Sequence, residues 1–457
     1  MQQKSFAFDS ESEALYQLDP LSRALLEVWV KNQGEAASEE QCRELALQFG
    51  TEIEELISLN EEIKSLKEQK LFFAPAPEVH PEQLYPDHPR IKAMCLHICH
   101  DCNLRCRYCF AGTGDFGTGQ RQMLSEETGK AAVDFLIRES GPRRHLDIDF
   151  FGGEPLLNWD VIQKLVAYCE TEGPKYGKDI RLTITTNATL LDDEKIDFIC
   201  QHFKNCVLSI DGRKEVHDYM RPDAGGRGSW DKTVRNIRRF VQKRGDGEYY
   251  LRGTYTSFNK DFSKDVLALA EIAPNLSIEP VVCDPNSPWA LHDEDLPLLK
   301  EEYERLALEM NQREIEGKPF HFFHFSIDNG GKSPCIFKRL KGCGVGTEYC
   351  AVTPGGDIYP CHQLVGETAC LMGNVLDGGL NPDFSLKKAL EDLLISEDPV
   401  CKACWARYYC GGGCPSNAWH RSGNLHSRDP FFCELLQKRT ECALWLRAER
   451  LKRRQSL

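Results

Sequence analysis

The sequence predicts an α/β protein: a partial (β/α)6 barrel between a small α+β N-terminal module and a cysteine-rich C-terminal segment. Three observations predict it. Apolar runs of strand length alternate with helical patterns six times between residues 91 and 316, a proline-dense stretch precedes them, and short glycine- and cysteine-rich pieces follow from about Pro319. Strands separated by helices of about 10 to 15 residues imply parallel pairing with crossover helices. Six units are too few for the ordinary eight-unit barrel. The expected divisions are residues 1 to 85, 86 to 316 and 317 to 457.

In the first division, KSFAFD and ALYQLD read as short strands, and apolar residues at helical spacing predict helices over 21 to 32, 39 to 48 and 52 to 69. Residues 74 to 90, APAPEVHPEQLYPDHPR, contain five prolines, which continue neither a helix nor a central strand, and this predicts a linker. The barrel strands are expected at 92 to 98, 145 to 151, 180 to 186, 206 to 210, 249 to 256 and 276 to 282. The third division has little apolar sequence of its own, so its folding is expected to depend on metal.

The formal net charge of -14 argues against nucleic acid or an anionic membrane as the main partner. The polar, acidic N-terminus is unlike a signal peptide and no apolar run is long enough to span a bilayer, so a cytoplasmic location is expected. In that compartment 21 cysteines are poor candidates for structural disulfides, and clustered ones point to metal. Five lie from Cys95 to Cys109 and ten from Cys335 to Cys433. Cys42, Cys169, Cys200, Cys206, Cys283 and Cys442 are scattered and read as small core hydrophobes.

The segment LHICHDCNLRCRYCFAG follows the first barrel strand directly, so Cys102, Cys106 and Cys109 occupy a loop at the C-terminal end of a parallel strand, where α/β folds place their chemistry. Three thiolates hold three irons of a [4Fe-4S] cluster and leave one iron open. Cys95 and Cys99 share one face of the strand and read as packing residues. After the second strand comes FFGGEPLL, where Gly152 and Gly153 allow close backbone approach and Glu154 is an acceptor for an ammonium. Thr185 and Asn187 follow the third strand, Ser209 ends the fourth, and Arg221 is available to a carboxylate.

Cys-x3-Cys-x2-Cys with Tyr108 before its last cysteine resembles the radical S-adenosylmethionine (SAM) superfamily. The resemblance implies that SAM chelates the open iron and that an electron from the cluster cleaves it to a 5′-deoxyadenosyl radical. It also implies cofactor contacts from Tyr108, Gly152, Gly153, Glu154, Thr185, Asn187, Ser209 and Arg221. Further on, CKACWARYYCGGGC and KGCGVGTEYCAVTPGGDIYPCHQ resemble the SPASM domain of peptide-modifying members, which carries two auxiliary [4Fe-4S] clusters. Carried over, Cys343, Cys361 and Cys414 would hold the first auxiliary cluster, and Cys401, Cys404, Cys410 and Cys433 the second, making three [4Fe-4S] clusters in all. A fourth ligand to the first stays open between Cys335, Cys350 and a substrate thiol. A zinc ribbon, the alternative, uses two cysteine pairs and leaves several of these seven unexplained.

Longer stretches, such as DFFGGEPLLNWDVIQKLVAY and CWARYYCGGGCPSNAWH, resemble the SCIFF-type (six cysteines in forty-five) maturases. These oxidoreductases build thioether crosslinks in ribosomally made peptides. The resemblance implies a cysteine-rich precursor peptide as partner, an electron donor such as flavodoxin or ferredoxin, and a winged-helix-like leader-recognition role for the N-terminal module, by strand addition. A rival is the anaerobic sulfatase maturases, which place an aspartate base directly after the cysteine matching Cys361. Here His362 and Gln363 stand there. A rival from another class is a metal-stabilised binding scaffold without catalysis.

Overall fold

The computed structural model describes residues 4–76, 90–327 and 336–455. Most of the expected linker, positions 77 to 89, and Cys335 lie outside the described residues. The N-terminal module is an antiparallel hairpin, β1 (Ser5–Phe8) and β2 (Leu15–Leu18), followed by α1 (Pro20–Lys31), α2 (Glu39–Phe49) and α3 (Ile53–Glu68). Local chemistry sets these helices. Asp19 accepts from the Ser22 amide ahead of Pro20, Ser38 and Gln41 form a capping box, and Gly50 at φ 66° ends α2. Leu25, Trp29, Leu45 and Leu56 form a core separate from that of the barrel.

Six parallel strands run side by side in chain order: β3 (Ala93–Cys99), β4 (His145–Gly152), β5 (Asp179–Thr186), β6 (Asn205–Ser209), β7 (Glu248–Tyr255) and β8 (Asn275–Pro280). Between and after them come α4 (Glu126–Glu139), α5 (Trp159–Lys175), α6 (Asp193–His202), α7 (Lys214–Met220), α8 (Trp230–Arg244), α9 (Phe262–Ala270) and α10 (Leu296–Ile315), and β9 (His321–Phe322) extends the sheet beside β8. The strands alternate with period two. Leu96, Ile148, Phe150, Leu182, Ile184, Leu208, Leu251 and Ile278 are buried on one face, while Asp147, Asp149, Thr185, Ser209, Arg252 and Glu279 share the other. The second face is therefore polar, and it carries the site.

The C-terminal segment differs from the expectation of a piece with little core. Its first strand, β10 (Tyr349–Val352), pairs in parallel with β3, and β11 (Asp357–Tyr359), β12 (Gly373–Asn374) and β13 (Gly379–Leu380) continue from it, so the sheet has eleven strands. The apolar run YCAV offers a strand to the exposed edge of β3. Its Cys350, Ala351 and Val352, with Ile358 and Leu364, then enter the barrel's hydrophobic core. Short helices α11 (Ile336–Lys341), α12 (Lys387–Glu391), α13 (Pro399–Ala403), α14 (Arg407–Cys410) and α15 (Pro415–Ser422) carry the cysteines between them. The long α16 (Pro430–Gln455) packs on α10, where Glu314 accepts from Arg450 and Arg453. Among the described residues no helix is long and apolar enough to cross a membrane.

The hairpin of the N-terminal module docks on the cysteine-rich segment. Glu11 pairs with Arg407 and accepts from the Tyr408 hydroxyl at 2.8 Å, and the Phe8 ring meets Trp405 edge-on at 6.3 Å. The Glu11 and Arg407 side chains are only 8% and 14% exposed. Losing a hydrogen bond to a charged group costs about 1.5–3 kcal/mol. Glu11→Gln is accordingly expected to speed amide exchange across residues 4–19 by roughly 10- to 100-fold, as read by mass spectrometry.

Candidate functional site

The loop leaving β3 is fixed by main-chain bonds to the far side of the sheet, with Arg105 N to Pro222 O at 2.7 Å and Arg107 N to Met220 O at 2.9 Å. Gly152 and Gly153, at the end of β4, hold it from below. Gly153 N donates to Cys99 O at 2.9 Å and Glu154 N to Asp101 O at 2.8 Å. A Cβ on Gly152 would stand 2.3 Å from Cys99 O, and one on Gly153 would stand 2.0 Å from Asp101 O. The glycines thus admit the cysteine loop's own backbone. Gly153→Ala is expected to displace the loop and lower the iron bound by the purified protein, measured by metal analysis, while strands elsewhere keep their circular dichroism.

Cys102, Cys106 and Cys109 face a cavity of about 390 Å³. Its wall also contains Tyr108, Gly152, Gly153, Thr185, Asn187, Ser209 and Arg221. The structure thus brings ten of the residues singled out from sequence to one cavity. Burial drives the Cys102 thiol far above its ordinary pKa and pushes that of Cys106 up to about 12. Asn187 Nδ2 approaches Cys102 Sγ at 3.8 Å and donates to Asn103 Oδ1 at 2.8 Å.

Glu154, Arg221 and Tyr108, all expected cofactor contacts, are engaged within the protein. Glu154 is buried beside the cavity, and its carboxylate accepts from Thr186 Oγ1 at 2.7 Å, the Asn187 amide at 2.7 Å and the Leu156 amide at 3.1 Å. Burial raises its pKa to about 7 against these donors. It ties the end of β5 to the end of β4. Arg221 lies bidentate on Asp211 at 2.8 and 2.9 Å, and Tyr108 Oη donates to the same carboxylate at 2.7–2.8 Å. Asp211 was not singled out from sequence, although LSIDG displays it.

The inward face of the strands adds residues that sequence reasoning missed, Asp149, Arg252 and Glu279, and His362 and Gln363, the pair that follows Cys361, stand beside them. Each strand residue is a charged side chain at an inward period-two position in an otherwise apolar run, and this was the available signal. Glu279 is paired with Arg252. Burial would raise its pKa, but Arg252, His324 and Arg439 outweigh this and hold it at about 2. Asp149, the other carboxylate on the wall, has no ion pair among the described residues and accepts from Thr185 Oγ1 at 3.3 and 3.4 Å. Burial lifts its pKa to about 6, opposed by His362, Thr185 and Arg252. Burial takes His362 down to about 4, so the imidazole is neutral near pH 7.

The C-terminal cysteines fall into two groups. Burial pushes Cys414 up to about 12, with repulsion from Cys361 and Cys343 adding to it. Burial likewise pushes Cys433 up to about 11, with Cys410, Cys401 and Cys404 adding. Cys350 stands apart in the fully buried interior of β10. A second cavity, of about 300 Å³, is lined by Cys410, Cys414 and Cys433, and it shares Glu279, Pro280, Val282 and Gln363 with the first.

The donor chemistry fits iron-sulfur clusters. Thiols crowded three or four together repel as thiolates, and cations relieve that cost. Among the described residues no three Cys, His, Asp or Glu side chains converge on the position of a single metal ion. A cubane cluster does not ask for such convergence, because each cysteine binds its own iron.

Residues 96–251 match the model of the Radical SAM superfamily. The chain is 21% identical over 378 residues to the radical SAM cyclopropyl synthase TigE of Paramaledivibacter caminithermalis, covering 76% of this chain and 72% of that protein. It is 26% identical over 350 residues to the mycofactocin maturase MftC of Mycolicibacterium smegmatis, covering 74% and 82%. In fold it is similar to anSMEcpe with bound AdoMet, with a TM-score of 0.62 at 21% identity over 77% of this chain and 93% of that one. It is also similar to Streptococcus suis SuiB bound to S-adenosylmethionine, with a TM-score of 0.54 at 16% identity over 94% and 99%. The chain carries a radical SAM domain and is an enzyme related to peptide and protein maturases. That domain implies a [4Fe-4S] cluster and SAM as cofactors.

Proposed function

We propose that this enzyme installs thioether crosslinks, from cysteine sulfur to carbon, in a ribosomally made cysteine-rich peptide. The observation that carries the reading is the shared wall between the two cavities. Glu279, Pro280, Val282 and Gln363 separate the Cys102, Cys106 and Cys109 cavity from the one lined by Cys410, Cys414 and Cys433. The two cavities thus adjoin, so a peptide carbon held in one and a peptide sulfur held in the other would be neighbours.

In this reading Cys102, Cys106 and Cys109 hold the cluster that binds SAM, while Tyr108, Thr185, Asn187, Ser209 and Arg221 shape the space beside it. The bound cluster and SAM supply a carbon radical that removes a hydrogen atom from the peptide. Cys343, Cys361 and Cys414 hold the first auxiliary cluster, next to the wall residues His362 and Gln363. Cys401, Cys404, Cys410 and Cys433 hold the second. Joining carbon to sulfur releases one proton and one electron. Asp149, the carboxylate on the wall with no ion pair among the described residues, takes the thiol proton, and the auxiliary clusters, when bound, would supply an acceptor for the electron. Neutral His362 packs against Phe110 and Phe151, with ring centroids 5.6 and 5.1 Å apart, and keeps water from the carbon-sulfur junction.

The groove on the N-terminal module, lined by Phe6, Phe8, Leu26, Val30 and Phe72, supports a leader-binding role. The outer edge of β1 pairs with no other strand among the described residues, so it is free to add one.

Anaerobic purification tests the reading. It calls for a brown protein with about 12 irons per chain that converts SAM to 5′-deoxyadenosine under reduction. A small cysteine-rich peptide encoded beside this gene and co-expressed should lose two hydrogens per crosslink, keep its sulfur, and resist thiol alkylation at the joined cysteine. A peptide oxidised with loss of sulfur would establish the sulfatase-maturase type of reaction instead.

A further inference from the structure

We propose that Arg428 sets the reduction potential of the iron-sulfur centre held by Cys401, Cys404, Cys410 and Cys433, with Asp398 as the opposing charge. The inference rests on the cluster assignment above. Arg428 Nε donates to Cys401 Sγ at 3.2 Å and meets Asp398 Oδ2 at 3.1 Å. Asp398 in turn caps α13, its other oxygen accepting from the Cys401 amide at 2.9 Å. The two side chains are only 14% and 19% exposed. A cation, its counter-charge and a ligand sulfur therefore meet in one place largely shielded from water, where charges act strongly.

Among the described residues, two of the other sulfurs of this group receive neutral donors. Gln437 Nε2 reaches Cys404 Sγ at 3.5 Å and Gly413 N reaches Cys410 Sγ at 3.1 Å. Arg439, on the same cavity wall, acts on Cys410 through space and points its guanidinium at His324 Nδ1, 3.3 Å away. Arg428 is thus the cation in direct contact with a cysteine of the group. Reduction adds one electron to the cluster and its sulfurs, and donors and positive charge at sulfur favour that form. Arg428 makes the second auxiliary centre easier to reduce, and Asp398 holds back part of that effect.

The test is a potentiometric titration of the full-length, anaerobically reconstituted protein, followed by electron paramagnetic resonance. Arg428→Gln is expected to move one reduction wave to lower potential, Asp398→Asn to move the same wave to higher potential, and Arg428→Lys to fall between Gln and wild type. Asparagine retains the helix cap, so Asp398→Asn changes charge with little change of fold. Opposite shifts from these two variants are the signature that a merely structural ion pair would not give. If the wave stays in place in both variants at full iron content, or if both shift it the same way, the proposal is overturned. Should Arg428→Gln lose the centre's iron, Arg428→Lys and Asp398→Asn decide by the same signs. A wild-type protein with no signal that Cys401→Ser removes would instead overturn the cluster assignment.

Discussion

Cys106→Ala, and equally Cys102→Ala or Cys109→Ala, abolishes formation of 5′-deoxyadenosine from SAM. The expected loss is at least ~10³-fold, well beyond the ~10- to 100-fold that follows loss of an outer contact to a metal ligand. The three thiols face the cavity rather than the apolar layer formed by Leu96, Ile148 and Phe150, so the sheet keeps its packing. Iron should fall by about 4 of about 12 atoms per chain, with thermal unfolding of the barrel little changed. Retained SAM cleavage in any of the three variants would disprove the assignment of this loop.

Asp149→Asn lowers the yield of crosslinked peptide per 5′-deoxyadenosine by roughly 10²- to 10⁴-fold, the range that general acid-base catalysis contributes. The sign of the pH dependence follows from the buried carboxyl. Its folded pKa is raised to about 6 by burial, and the base acts only when deprotonated. Crosslinking in the wild type should therefore fall about tenfold per unit as pH drops below about 6, and the residual rate of the Asn variant should lack that step. Cys95 on β3, Tyr349 on β10, Arg252 on β7 and His362 are the titratable or charged groups facing Asp149. Of these, His362 is already neutral above about pH 4, and burial holds the Cys95 thiol and the Tyr349 hydroxyl well above their ordinary values. Asp149→Glu restores part of the yield if the carboxylate is the base. An Asn variant with wild-type yield would remove Asp149 from the chemistry.

Spacing along the chain carried much of this structure. Each barrel strand is an apolar run ended by polar residues, and burial of one face against helices is enough to order such runs, so all six appear within a few residues of where periodicity puts them. The cysteine loop was legible for the same reason, since its spacing and its place after β3 are both local. Contacts across the sheet were not. Glu154 reads as an acceptor for a ligand, yet Thr186 and Asn187, distant in sequence, supply its donors. Asp149 reads as an ordinary alternating strand residue. Only the pairing of Glu279 with Arg252, and not of Asp149, singles it out. β10 was hidden because four residues among glycines and cysteines give too short a pattern to tell strand from turn.

The pairing of β10 with β3 reaches beyond the edge it covers. The strand that leads into Cys102 and the strand that leads toward Cys361 are rungs of one main-chain ladder, Tyr349 facing Ala93 and Val352 facing Leu96. A ladder has no intermediate setting, because a slip of one residue would turn every side chain to the opposite face. The separation between the loop of Cys102, Cys106 and Cys109 and the first C-terminal cysteine group is thus set as a molecular ruler sets a length. The N-terminal module, with its own core, is held by side-chain contacts instead. Substrates of different sizes would then be accommodated by where that module presents them, while the distance between the two cysteine groups stays constant.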